Sequence, residues 1–222
     1  MPSPPLTLEN VLLQVRDFLV VWMTQIVYHN RIYPEYAFEE RTFLDLVIIQ
    51  SRVPPLSDFF RAFANDMVSA LVTKAGGGKV HDVMVVVYDE SSLHTHKRYV
   101  INFGQFVGLA GQISTTDFLY KPTEVHQARI TLPNFKWNEI YASLRSLMFF
   151  HVEELKRTHE HADRGLFFKL LLNTDSSVDL SGEQGQWIKL MSDDDPRKTK
   201  LVLLGEISTG FLCFDLHNEY IL

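Results

Sequence analysis

From Leu8 to Val27 the chain places apolar side chains on almost every face of a helix, and this constrains the fold more than any other feature. Val11, Val15, Phe18, Leu19, Trp22 and Ile26 recur at helical spacing, and Leu12, Leu13, Val20, Val21, Met23 and Val27 fill much of the rest. Thr7 reads as the N-cap, with Glu9 in the first turn where the helix dipole favours a negative charge. A helix apolar nearly all round is either buried in a core or placed in a membrane. Arg16 and Asp17 sit mid-run, and a charge at a bilayer centre costs at least ~2.5 kcal/mol. The reading is therefore a central core helix, stopped by Pro34, whose ring removes a backbone donor and crowds the preceding turn.

The rest of the chain alternates in kind. An extended stretch spans Thr42 to Val53, closed by Pro54-Pro55. A second helix follows with Ser57 as its cap and Phe60, Phe63, Met67 and Leu71 on one stripe, ended by Gly76-Gly77-Gly78. Val80 to Glu90 is short and rich in β-branched residues, which predicts a buried strand, and KRYVINF (Lys97 to Phe103) predicts its hairpin partner. Residues 104–133 read as loop with short strands. A third helix runs from Trp137 to about Thr158, with Tyr141, Leu144, Met148, Val152 and Leu155 facing inward and Arg145 on its flank. Gly165 to Asn173 reads as a central strand. The tail then alternates loops with the short strands QWIKLM, KLVLLGEI and FLCFDLHNEYIL. Helices beside antiparallel strands predict an α+β fold with the helices on one face of the sheet.

The 222-residue chain carries a net charge of −6, with 46% hydrophobic and 22% charged residues. That composition supports a core, and the acidic balance argues against direct nucleic-acid binding, whose affinity rests on neutralising phosphates. One cysteine, Cys213, excludes an internal disulfide framework, and the start MPSPPLTLEN has neither the basic nor the apolar region of a secretory leader. A reducing compartment is the simplest expectation.

Candidate chemistry is sparse. GGGK (Gly76 to Lys79) is followed by Val80, where a phosphate loop needs a hydroxyl, and the glycines end a helix. The pairs His94/His96 and His159/His161 have the side-by-side spacing that suits zinc on a strand, yet neither has a third ligand at a recognisable interval. Asp193-Asp194-Asp195 before Pro196 reads as a solvated turn. Trp187, alone in a polar tail, reads either as an anchor of that tail on the core or as an anchor for a partner.

The stretches IVYHNRIYPEYAF (Ile26 to Phe38), PPLSDFF, VMVVVYDE with KRYVINF, SLRSLMFFHVEEL, and QWIKLM with DDPR resemble, in order and spacing, the HORMA domain family. The likeness is strongest to its branch of accessory subunits of translesion DNA polymerase zeta, and covers the chain from about Leu8 to the end. It implies three helices packed on an antiparallel sheet, with residues 7–173 as a HORMA core and 174–222 as a C-terminal safety belt of the same domain. A partner's extended peptide would add to a sheet edge and be enclosed by the belt. The family pattern puts Phe59 (a phenylalanine where the family has tyrosine), Trp187 and Tyr33 at the captured peptide, and Arg145 where HORMA domains pair with one another. Asp195-Pro196-Arg197 match the belt, but Lys198 replaces an apolar residue. Lys198, Asp215 and His217 fall near positions that meet a second partner, and the latter two differ in type from the family.

The implied protein is a non-enzymatic nuclear adaptor with no cofactor and no membrane contact. Its partners would be the catalytic subunit of polymerase zeta, the deoxycytidyl-transferase scaffold polymerase, and another HORMA domain in a homodimer or heterodimer. Other readings stay open: a spindle-checkpoint or meiotic HORMA protein, a metal-dependent hydrolase using His94, His96, His159 and His161, or a structural protein with no belt.

Overall fold

The computed structural model describes residues 6–73, 80–105, 136–158, 165–174, 198–208 and 213–221. Helix α1 (Leu8–His29) starts as its sequence predicts, with Thr7 Oγ1 accepting from the Asn10 amide at 3.2 Å. It is long and apolar enough to cross a membrane, but it is buried as the core helix of this fold, with Val11, Phe18, Trp22, Met23, Ile26 and Val27 sealed from solvent. Arg16 and Asp17 pair with each other at 2.7 Å on its solvent side. The helix ends at His29, earlier than Pro34 dictates. Asn30 closes it, its amide side chain donating to Ile26 O at 2.8 Å, and Arg31 turns the chain with φ of 54°. Pro34 instead opens a single 3-10 turn, Glu35–Ala37.

Where one extended segment was predicted over Thr42 to Val53, the chain forms a hairpin that starts earlier, β1 (Phe38–Phe43) and β2 (Leu46–Ser51). Its two-residue turn, Leu44-Asp45, has positive φ at both positions, the geometry that matches strand twist. Gln25 reaches from α1 to β2 and bonds both the carbonyl (2.7 Å) and the amide (3.2 Å) of Ile49. A buried glutamine thus stands where a further strand would pair. Helix α2 (Pro54–Thr73) begins before the expected Ser57 cap: Ser57 N already bonds Val53 O. Prolines in a first turn lose no hydrogen bond, because those amides have no helical partner.

Five strands form the main sheet: β3 (Val80–Asp89), β4 (Thr95–Gln105), β5 (Leu166–Thr174), β6 (Thr199–Ser208) and β7 (Cys213–Ile221), in the order β5-β3-β4-β7-β6, each pair antiparallel. Helix α3 (Trp137–Arg157) packs with α1 on one face, burying Ile140, Leu144, Leu147, Met148, His151, Val152 and Leu155. Val83, Val85 and Val87 of β3, Tyr99, Ile101 and Phe103 of β4, and Phe214 and Leu216 of β7 face these helices. Val86 and Val100 point the other way and are buried as well, so the middle of the sheet is covered on both faces. That double burial is why β3 reads as an unbroken apolar run rather than an alternation. At Gly205 the chain adopts φ of +151°, and a Cβ there would stand 2.8 Å from the Leu147 side chain, so α3 lies directly on β6.

Asn30 joins three elements. Its side chain meets the Tyr99 hydroxyl of β4 at 2.9 Å, and its Oδ1 accepts from Lys97 Nζ at 3.2 Å. The same ammonium reaches the Thr158 carbonyl, at the end of α3.

Candidate peptide-capture edge

Two features of the sheet define a site. First, β5 is an edge: β3 bonds one side of it, and no strand among the described residues bonds the other. An unpaired strand edge exposes a row of donors and acceptors that an extended chain can satisfy. Second, α2 carries an aromatic cluster to that edge. The Phe59 ring, 47% exposed, lies 6.2 Å from Phe168 of β5 and 5.9 Å from Phe60, which is itself 5.7 Å from Phe168. Phe168 points to the helix side, as its register with Val87 requires. A strand laid along β5 would therefore meet backbone on one flank and the Phe59 ring on its helix side.

The other expected site residues are placed less closely. Tyr33 sits half-exposed in the turn after α1, and the ring contacts that tie Phe59 to β5 run through Phe60 and Phe168 rather than through it. Trp187 lies outside the described residues, as do Asp193-Asp194-Asp195, His159, His161 and Gly76-Gly77-Gly78. Arg145 is exposed on α3, one turn beyond Tyr141, whose hydroxyl meets Asp45 of the β1–β2 turn. Among the described residues no cluster of three or more His, Cys, Asp or Glu could hold a metal ion; His94 and His96 stack edge to face at 5.1 Å.

Asp215 and His217 come together on the sheet face away from the helices. Asp215 Oδ2 is 3.2 Å from His217 Nδ1, His217 Nε2 is 3.7 Å from Glu219, and Glu219 pairs with Arg98 of β4 at 3.6 Å. Lys198 does not join them: it precedes Thr199, at the opposite end of β6 from the residue that faces Asp215, roughly 25 Å away along the strand. The Glu219 hydrogen bond, with help from Asp215, holds the His217 imidazolium above its ordinary pKa of 6.5, and His217 in turn holds the Glu219 carboxyl below its usual 4.5. The histidine stabilises β7 fully below pH 6.5, and this is lost as pH rises through its elevated pKa. Glu219 contributes above pH 4.5, and this is lost on further acidification. His217→Gln should lower the melting temperature at pH 5.5 and leave it unchanged at pH 9. The loss should be under about 1 kcal/mol, because the pair lies at the sheet surface and is only partly shielded from solvent. Equal melting of both proteins at pH 5.5 would remove the pairing from the account.

Solved structures share this topology. A chain of the mitotic checkpoint complex superposes with a TM-score of 0.70 at 15% identity, covering 96% of this chain and 99% of its own. Caenorhabditis elegans HTP-1 bound to HTP-3 motif-1 gives 0.67 at 10% identity, covering 100% and 94%, and HTP-2 bound to a HIM-3 closure motif gives 0.66 at 10%, covering 99% and 94%. This chain has the HORMA fold. Three helices and an antiparallel sheet are the arrangement that the sequence resemblance implied; the pairing of the C-terminal strands β6 and β7 beside β4 was not part of that expectation. No family model matches the chain. Among curated proteins, the DNA polymerase zeta processivity subunit of Arabidopsis thaliana is 32% identical over 139 residues, 59% of this chain. The match spans 62% of that relative.

Proposed function

We propose that this HORMA chain is a non-catalytic subunit of DNA polymerase zeta that captures an extended segment of the catalytic subunit along β5. The observation that carries this is the unpaired β5 edge with Phe59 beside it. The likeness to a polymerase zeta processivity subunit supports the choice of partner, and the HORMA neighbours bound to motifs of other proteins support capture of a short segment. In this reading residues 7–173 are the core and 174–222 a belt of the same domain. Trp187 covers the captured segment, with Tyr33 at the rim. Residues 175–198 connect the end of β5 to the start of β6, from one edge of the sheet to the opposite edge and from one end to the other. That diagonal spans roughly 35 Å, well within reach of the connection, so it has length to pass around an added strand.

The same subunit then acts as a bridge: Asp215, His217 and Lys198 meet the scaffold translesion polymerase, Arg145 mediates pairing with a second HORMA domain, and the complex works in the nucleus on damaged templates. The rival within the fold, a spindle-checkpoint or meiotic HORMA protein, differs in the partner recovered. Affinity capture on the whole chain followed by mass spectrometry should return the polymerase zeta catalytic subunit. Phe59→Glu should reduce that recovery, weakening binding of the captured segment by about 2 kcal/mol in calorimetry, as for an aromatic anchor. Full recovery with Phe59→Glu, or recovery of checkpoint or meiotic proteins alone, would overturn the reading.

A further inference from the structure

Resting on capture along β5, we infer that this edge selects strands carrying an acidic side chain with an apolar residue two positions to either side. On the face of β5 away from the helices stand Phe167, Lys169 and Leu171, in register with Tyr88, Val86 and Met84 of β3. Phe167 is 41% exposed and packs 6.3 Å from the Tyr88 ring. Lys169 Nζ lies 5.9 Å from the centroid of the same ring. Its ammonium is thus held over an aromatic surface with Val86 buried beside it, and among the described residues Tyr88 is its one partner. The neighbouring charges are already engaged: Arg98, across Val86, pairs with Glu219, and Asp82, four residues along β3 from Val86, accepts from Asn173 at 2.9 Å.

A strand added outside β5 places one side chain directly opposite Lys169 and its i−2 and i+2 neighbours opposite Phe167 and Leu171. Cross-strand partners sit about 4.5–5.5 Å apart at Cβ, close enough for an opposite charge to gain and a like charge to lose. The intervening residues face Phe168, Leu170 and Phe59, all apolar. The selected pattern is apolar-x-Asp/Glu-x-apolar. It is symmetric about Lys169, so it reads alike whether the captured strand runs parallel or antiparallel to β5. Charge selectivity at this edge therefore rests on a single side chain.

The test is selection of a displayed library of random twelve-residue peptides on the full chain, with synthetic binders then titrated by fluorescence anisotropy. Wild type should enrich Asp or Glu between the two apolar positions, and Lys169→Glu should enrich Lys or Arg there instead. Replacing the acid by alanine should weaken binding to wild type on the order of threefold to fivefold, as for a partly exposed ion pair, and should change nothing on Lys169→Gln. Circular dichroism establishes that both variants fold, and Lys169→Gln alone carries the test if Lys169→Glu does not. Peptides that depend on Phe59 but show no acidic preference, or keep it on Lys169→Gln, overturn this inference and leave capture standing. Peptides indifferent to Phe59→Glu overturn capture itself.

Discussion

His151→Leu is expected to make the protein more resistant to acid, by about 3 kcal/mol at pH 4 relative to the difference between the two proteins at pH 7.5. His151 lies on α3 with no solvent exposure, its ring 6.0 Å from Trp22 and 6.2 Å from Tyr99. Neither ring nitrogen has a hydrogen-bond partner among the described residues. Burial, and next the nearby His29, push the imidazole down to about 3, against a slight opposing pull from the Trp22 carbonyl. The unfolded chain therefore takes up a proton near pH 6.5 that the folded chain refuses until about pH 3. Stability from this residue is present above 6.5 and is lost as pH falls between those values. This is the reverse of His217, so the two histidines oppose one another below pH 6.5. Leucine fills similar space without a titrating group, and at neutral pH the change should stay within about 1.5 kcal/mol. Urea unfolding of both proteins at pH 7.5 and pH 4 measures the difference. Parallel losses of stability in the two would show that His151 is not the proton site.

Asn30→Leu should cost about 2–4 kcal/mol in the same assay at any pH between 6 and 8. The substitution strands the Tyr99 hydroxyl, which is fully buried and whose titration burial pushes far upward, and removes an acceptor from Lys97. It also deletes the side-chain bond that closes α1 on Ile26. Tyr99→Phe together with Asn30→Leu should recover part of the loss, since removing both partners of a buried bond is gentler than orphaning one. Additive losses in the double variant would mean that the two side chains act independently.

How far the fold could be read in advance depended on whether the cause was local. Val80 to Val87 announces a strand buried on both faces, and the α3 stripe announces a helix, because burial pattern and propensity agree there. The β1–β2 hairpin was hidden because Leu44-Asp45 is no standard turn signal; its positive φ values are held by tertiary packing, with Leu44 buried. The end of α1 was assigned to Pro34, the conspicuous breaker, whereas Asn30 acts four residues earlier through a bond to a strand far along the chain. At the site, Phe59 came from family likeness alone, since nothing around it in sequence tells that β5 lies alongside. GLFFKLLLN read as a central strand, whereas in the structure it is the outer strand β5, with Lys169 on it. The role of Lys169 emerges only from knowing that β5 is an edge and that Tyr88 is diagonal to it.

The pairing of β4 with β7 carries a kinetic consequence. Lys97 meets Tyr220 and Ile101 meets Leu216, contacts between segments more than a hundred positions apart, whereas β3 and β4 form a simple hairpin. Closing so long a loop costs entropy before any contact repays it, so the hairpin assembles early and the C-terminal strands arrive last. Until they do, the Tyr99–Phe103 stretch of β4 is itself a sticky open border, and a refolding chain at high concentration is most vulnerable to misassociation in that interval.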